Sequence, residues 1–327
     1  MKKKVGITLG DPAGIGPEIV LKALTGHPEI YNQVVPVVFG SRSVLEVVKK
    51  KLRLQTEIIK AKDLDDWRAD PNVVTVFSTA EPRTLPPLGK IDPLAGRMAF
   101  SWMEAAVTAA NLGKIRALVT SPINKAALRL AGVPYMDHTE ILSQLTGSAD
   151  PMTLFVTGSL RIFFYTRHVA FKDIASQINQ NTLVQSIRRC IVHLQQLGFE
   201  RPRLAIAALN PHGGDNGLMG REELDIIEPA VETAKEEGLN ATGPIPADSV
   251  FHLAKQGKYD AVLSLYHDQG HIAAKTLDFH RTVSLTMGLP FLRTSVDHGT
   301  AMDIAGKNTA DETSLVEAIL AAAEYAW

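Results

Sequence analysis

Histidine recurs at one kind of place in this chain. The apolar runs Arg161–Thr166, Arg203–Ala208 and Ala261–Tyr266 pass into Arg167-His168, into Leu209-Asn210-Pro211-His212-Gly213-Gly214-Asp215, and into His267-Asp268-Gln269-Gly270-His271. Ligands of parallel α/β sheets bind beyond the carboxyl ends of strands, which is where these imidazoles fall. Neutral imidazole is the commonest metal ligand. Three of them with an open coordination position make a divalent-metal site able to polarise a hydroxyl or carbonyl oxygen. A histidine at a strand end is equally at home as a hydrogen-bonded structural residue, and the wide spacing of His168, His212 and His267 matches no local metal motif. Asp268 and Asp248 could orient such ligands or bind directly, and either could instead cap a helix.

A second set of residues suits anions. Lys275, Arg293 and the His138-Thr139 pair after Asp137 are donors near expected loop ends in an otherwise neutral chain, fit for a phosphate or carboxylate. Taken alone, Lys275 reads as a solvated charge. The first loop, Gly10-Asp11-Pro12-Ala13-Gly14-Ile15-Gly16-Pro17-Glu18, follows a strand and opens a helix, either approaching a ligand closely or serving only as a tight turn. It is not the Gly-x-Gly-x-x-Gly dinucleotide fingerprint: Ile19 stands where the third glycine belongs, and no acidic residue is suitably placed after a second strand. His27, His193, His252, His280 and His298 are structural by default. Cys190 is the only cysteine, in a run expected to be helical, which excludes an intrachain disulfide and a four-cysteine metal site and suggests a buried apolar side chain.

The elements that must position these groups alternate along the chain, apolar β-branched runs with helix-period segments, as in an α/β fold around largely parallel sheets. Expected strands are Val5–Thr8, Val34–Phe39, Val73–Phe77, Ala117–Thr120, Met152–Val156, Arg161–Thr166, Arg203–Ala208, Ala261–Tyr266 and Thr282–Thr286. The clearest helices are Met98–Asn111, Thr182–Gln196, Glu222–Glu237 and Leu315–Tyr325, the last opened by Ser314 and Glu317 spaced as a capping box. Glu81–Gly96 reads as a long ordered loop. At 327 residues, 45% hydrophobic and 21% charged, the chain has material for a sizeable core and two lobes. Lys+Arg 34 against Asp+Glu 35 leaves no basic field for nucleic acid or an anionic membrane. No signal peptide or membrane span is visible, so the expected location is the cytoplasm.

The opening GDPAGIGPE and the late VDHGTAMDIAGKNTA, Val296–Ala310, together resemble the isocitrate and isopropylmalate dehydrogenase superfamily, whose two-lobed α/β/α fold is therefore expected. Between them, TSPINKAAL, DHTEIL, LNPHGG, LYHDQGH and GLPFLRTSVDHGTA look specifically like the 4-hydroxythreonine-4-phosphate dehydrogenase family, over nearly the whole chain. The resemblance implies a homodimer with its active site between lobes and subunits, NAD as oxidant, and a divalent ion on His168, His212 and His267, the last from the partner chain. Zinc is the first choice of ion, with cobalt, manganese or magnesium as alternatives. It places substrate on His138, Thr139, Lys275, Ser284 and Arg293, with Lys275 also in the catalytic set. NAD falls on Asp11, Gly14, Gly16, His298, Gly299 and Asp303, so the first and late loops should meet in one lobe. That lobe is expected over residues 1–130 and 282–327, with 131–281 forming the metal, substrate and dimerisation lobe.

Where the family usually has Asn, Gly and Gly-Pro-Val-His-Lys, this chain has Ser284, Asp137 and Ser121-Pro122-Ile123-Asn124-Lys125. These departures resemble a sibling branch that oxidises the 3-hydroxyl of 4-phospho-threonate or 4-phospho-erythronate and then decarboxylates the product. The alternatives are the vitamin B6 enzyme itself and, from another class, a phosphate acyltransferase of the same superfamily fold.

Overall fold

The structure, a computed structural model, describes residues 2–63, 65–67, 69–78 and 81–327. The β-branched runs become strands β1 Lys3–Thr8, β2 Val34–Phe39, β3 Glu57–Lys60, β4 Val73–Phe77, β5 Ala117–Thr120, β6 Met152–Thr157, β7 Leu160–Phe164, β8 Leu204–Ala207, β9 Ala241–Ile245, β10 Ala261–Ser264, β11 Val283–Met287 and β12 Leu292–Ser295. Three of them carry no clear sequence signal. β3 has a single fully buried side chain, β9 contains Gly243 and Pro244, and β12 contains Arg293. All three break the apolar pattern from which strands are read. Among the described residues no helix is long and apolar enough to cross a membrane.

The chain divides into two compact units, residues 1–151 with 283–327, and residues 152–282. The first boundary falls some twenty residues later than expected. The helix His138–Thr146 packs on Pro93–Asn111 of the first unit. In that unit the strand order is β3-β4-β2-β1-β5-β12-β11, parallel throughout except for β11 against β12. Register aligns Thr8 with Thr120, Thr120 with Ser295, and Ser295 with Ser284, a row of hydroxyls across four strands. Two residues along, Gly6, Leu118, Arg293 and Thr286 form the next row on the same face.

The second unit has order β6-β7-β10-β8-β9, with β6 antiparallel to β7 and the rest parallel. Its core joins Phe155, Ile162 and Phe164 to Val250, Ala254 and Ala274 from the helices laid on the sheet. Cys190 is buried on the helix Gln180–Gln196 against Met152 Sδ at 3.8 Å.

Helix ends differ from the sequence reading at three places, each for a local reason. Pro93–Asn111 begins inside the expected loop because Asp92 caps it, its carboxylate accepting from the Leu94 N–H at 2.7 Å, with Pro93 at the first position. The last helix starts at Thr313 with Glu312 at the cap, so Ser314 lies inside the first turn and is not the N-cap. The expected helix Glu222–Glu237 opens with a wide π turn, Glu223–Ile227, before continuing as Glu228–Glu236.

Candidate active site

In the second unit the three strand-end histidines are delivered by β7, β8 and β10. Thr166 Oγ1 donates to the Leu265 carbonyl at 2.7 Å, tying the end of β7 to that of β10. Gln269, buried, accepts from the Leu265 N–H at 2.7 Å and donates to the Ala208 carbonyl at 2.8 Å, tying β10 to β8. His267 opens the helix His267–Leu277, which lies directly on the strands because Gly270 leaves no Cβ to meet Phe164 and Ile162. The rings of His168 and His267 stand 6.2 Å apart between centroids. Asp268 Oδ1 lies 2.6 Å from His267 Nδ1, so Nδ1 is the protonated nitrogen and Nε2 keeps the lone pair that a metal ion would need. Asp268 thus orients an imidazole, and neither it nor Asp248 is the N-cap of its helix; those places belong to Tyr266 and Pro246. His271 stacks under His267 at 3.6 Å between centroids and is itself packed against Phe155 and Phe164.

His212 lies on a cavity of about 510 Å³ with Asp248, Asn210, Tyr266 and Phe171, while His168 and His267 line an adjoining one that shares Phe171, Ile174 and Tyr266. Among the described residues no three His, Cys, Asp or Glu side chains of one chain converge closely enough to hold a metal ion. In kind the donors fit a divalent ion, being imidazoles at strand ends, one of them held in the ligating tautomer. In number, a single chain does not complete the set. Lys275, in the last turn of the same helix, lies over the Phe279 ring at 5.2 Å.

The first unit builds its end differently. Arg293 is buried within β12 and not at a loop end. Its Nε and Nη2 donate to Thr120 Oγ1 at 3.0 and 2.7 Å and its Nη1 to Thr286 Oγ1 at 3.1 Å. Among the described residues no carboxylate forms an ion pair with it. Burial pushes its pKa down to about 10, opposed by the charge of Asp137, so at neutral pH it remains a cation whose direct partners are neutral hydroxyls. His138 is held well below the usual histidine range by burial and then by the Arg293 charge, against a hydrogen bond to the Ser121 backbone. His138 Nε2, Ser121 Oγ and Thr8 Oγ1 are buried with no hydrogen-bond partner. Asp137 caps the helix His138–Thr146 through the Glu140 N–H at 3.0 Å, and Glu140 accepts in return from the Met136 N–H at 2.6 Å. Ser284, half-buried, closes the hydroxyl row.

The first and late loops meet in this unit. Ile15 N–H donates to the Thr300 carbonyl at 3.0 Å, and Ala310 N–H to Glu18 Oε1 at 3.1 Å. Gly89 N–H reaches the Ala13 carbonyl at 2.8 Å. A Cβ on Gly14 would sit 2.8 Å from the Thr300 carbonyl, and one on Gly16 would collide with the Leu9 carbonyl. These glycines are therefore required by the protein's own backbone, whatever else the loop touches. Asp11, fully buried, accepts from the Ala13 N–H at 2.8 Å, while its Oδ2 has no hydrogen-bond partner. Burial raises its pKa to about 6, the Ala13 bond opposes this, and the charge of Asp92 adds to it. His298 Nε2 is another buried atom without a partner, its Nδ1 lying 3.0 Å from the Gly299 carbonyl. Gly299 and Asp303 are exposed on the late loop.

Residues 32–322 match the family model described as pyridoxal phosphate biosynthetic protein PdxA. The chain belongs to the PdxA family. A PdxA-family relative from Halalkalibacterium halodurans, provisionally named D-threonate 4-phosphate dehydrogenase, is 48% identical over all of this chain and 98% of its own length. Another of that provisional name, from Symbiobacterium thermophilum, is 49% identical over 98% of this chain and 96% of its own. The crystal structure of 4-hydroxythreonine-4-phosphate dehydrogenase from Klebsiella pneumoniae superposes with a TM-score of 0.91 at 37% identity, covering 100% of this chain and 98% of that one. PdxA membership makes the chain a dehydrogenase acting on a CH–OH group with the isocitrate and isopropylmalate dehydrogenase-like fold. Gln269, Thr166, His271 and Glu223, which brace the histidine-bearing strand ends, were not readable as functional. The one signal is that Gln269 and His271 both stand in the LYHDQGH run.

Proposed function

We propose that this PdxA-family chain oxidises the 3-hydroxyl of a 4-phosphorylated four-carbon acid, 4-phospho-D-threonate or 4-phospho-D-erythronate, with NAD, and that the resulting 3-keto acid loses its carboxylate as carbon dioxide. Arg293 carries this reading. A buried guanidinium met directly only by hydroxyls, beside a neutral His138 and partnerless hydroxyls, is prepared for an anion that the protein itself does not provide.

His138, Thr139, Arg293 and Lys275 hold the anionic groups of the substrate, so that binding energy remote from C3 fixes its orientation. Asp11 and His298, each with a buried polar atom turned to no protein partner, hold NAD together with the Gly14, Gly16, Gly299 and Asp303 backbone. In a homodimer, His168 and His212 of one subunit and His267 of the partner subunit would hold a divalent ion, zinc before cobalt, manganese or magnesium. When bound, the ion supplies Lewis acidity for loss of the 3-hydroxyl proton and stabilises negative charge during decarboxylation. Asp268 keeps His267 in the tautomer such a role needs. Ser284 offers one hydroxyl where an asparagine would offer separate donor and acceptor ends, and so favours an acid with a 2-hydroxyl over one with a 2-amine.

The deciding measurement is kcat/KM for 4-phospho-D-threonate, 4-phospho-D-erythronate and 4-phosphohydroxythreonine with NAD saturating. One of the first two should lead by about tenfold or more. A tenfold lead for 4-phosphohydroxythreonine would return the chain to vitamin B6 synthesis, the reading favoured by the likeness to the Klebsiella structure. No NAD reduction with any of the three would remove the dehydrogenase assignment.

A further inference from the structure

His212 opens a stretch of backbone that L-residues avoid. His212, Gly213, Gly214, Asp215 and Asn216 have φ of 54, 68, 77, 44 and 54°, one turn of left-handed helix with three non-glycine members. Each such residue costs about 1–2 kcal/mol, less for Asp and Asn. A conformation of this kind persists only where its surroundings impose it.

The surroundings here are built on the Glu223 carboxylate, with Glu222 beside it. Glu223, 1% exposed, accepts through Oε1 from the N–H groups of both Leu209 and Asn210 at 2.8 Å, and through Oε2 from Asn210 Nδ2 at 2.8 Å. Glu222 Oε2 takes a second bond from the same amide at 2.7 Å. Two consecutive carboxylates reach one amide where the helix opens with its π turn, a widening that recurs at functional sites. Space around them is full. A Cβ on Gly214 would lie 2.8 Å from Glu223 Oε2, and one on Gly220 2.5 Å from Asn210 Nδ2. The Asn210 carbonyl then accepts from the Gly213 N–H at 3.1 Å, closing the left-handed turn. Glu223 therefore fixes the two residues before Pro211, and through Asn210 the turn that aims His212. His212 itself is exposed on the cavity wall and makes none of these bonds.

We propose that Glu223 is the positioning residue for His212: its carboxylate is the template on which the left-handed turn forms, and without it the imidazole loses its fixed place at the end of β8. The inference rests on the role proposed above for His212. Glu223 lines neither of the two cavities and acts through Leu209 and Asn210.

The test uses full-length enzyme carrying Glu223→Gln, with His212→Ala alongside, and reads local amide exchange against distant strands, which a loss of global stability would move together, and metal affinity. Backbone amide exchange over residues 209–219 should accelerate at least tenfold in E223Q, with residues 160–166 and 261–264 unchanged. The Kd for Co²⁺ titrated into metal-stripped protein should rise about 10- to 100-fold in E223Q, as for loss of a group that orients a metal ligand, and more in H212A. If E223Q exchanges and binds Co²⁺ like wild type while H212A does not bind, the template role is wrong and the role of His212 stands. If H212A binds Co²⁺ like wild type, the reading of His212 as a ligand fails; the exchange result then judges Glu223 alone. Should E223Q not fold, Glu223→Asp, which keeps the charge and shortens the reach by one methylene, is measured against the same two outcomes.

Discussion

The two units meet the same demand, a set of polar groups at the carboxyl end of a parallel sheet, by opposite arrangements. In the first unit the polar atoms proposed to meet a ligand are themselves buried: the Arg293 guanidinium among hydroxyls, the Nε2 of a neutral His138, and an Asp11 oxygen without a partner. In the second the imidazoles His168 and His212 are exposed, and what is buried lies beneath them, Glu223 and Gln269. The first arrangement carries an unfavourable free energy, a buried charge met only by neutral hydroxyls, that the proposed anion would relieve. The second stores it in backbone conformation and leaves the imidazoles exposed. Substitutions of the buried groups in the first should therefore trade activity against stability, whereas those of the exposed imidazoles His168 and His212 in the second should change stability little.

The largest effect should come from Arg293→Met. Removing the buried cation proposed to hold the substrate anion should lower kcat/KM about 10²- to 10³-fold, while the melting temperature stays level or rises because a buried charge met only by neutral hydroxyls has gone. A variant that melts well below wild type would show the guanidinium to be a structural strut. Next in size, Gly10→Ala should destabilise by about 2–4 kcal/mol, since φ is +68° and the new Cβ meets the Pro122 carbonyl. Gly147→Ala, with φ of +69° but nothing within 4 Å, should cost about 1 kcal/mol. Urea denaturation of the pair separates conformational strain from collision.

Asp11 sharpens the contrast through pH. Its carboxyl titrates near 6 in the folded chain against an ordinary 3.8, so between those values the folded state holds a proton that the unfolded chain has released. Stability from this group is complete below about pH 4 and is lost as pH rises through 6. Asp11→Asn should remove that loss, raising stability at pH 8 by up to about 2–3 kcal/mol relative to wild type with little change at pH 4. Equal effects at both pH values would mean the carboxyl is not shifted. NAD affinity should fall in the same variant. The smallest effect belongs to Asp137→Gly: glycine is a fair N-cap, so stability should drop by only a few tenths of a kcal/mol, and the informative readout is the ratio of kcat/KM between the phospho-acids.

What the sequence made legible was local. Each histidine follows its own apolar run, so a strand-end rule finds His168, His212 and His267 without knowing how the strands pair. The glycines of the first loop are visible for the same reason. Arg293 reads as a loop cation because Leu292–Ser295 is short and carries no alternation; its burial comes from lying between β5 and β11, separated from β5 by more than 170 residues. Glu223 reads as one more acid on a charged helix, since its partners are the N–H groups of Leu209 and Asn210, backbone donors that leave no mark in a sequence. Ser314 and Glu317 have the spacing of a capping box, but the helix begins two residues earlier than that box requires. Non-local pairing and backbone donors are the common cause of what was missed.

Cys190, the chain's only cysteine, is fully buried, and that burial pushes its thiol well above the usual range. Thiol reagents act on the thiolate. The native protein is thus silent toward maleimides without any engineering, and a single cysteine introduced on an exposed loop of either unit becomes the sole labelling position. Fluorophores and spin labels can then follow substrate binding in an otherwise wild-type enzyme, with no background to subtract.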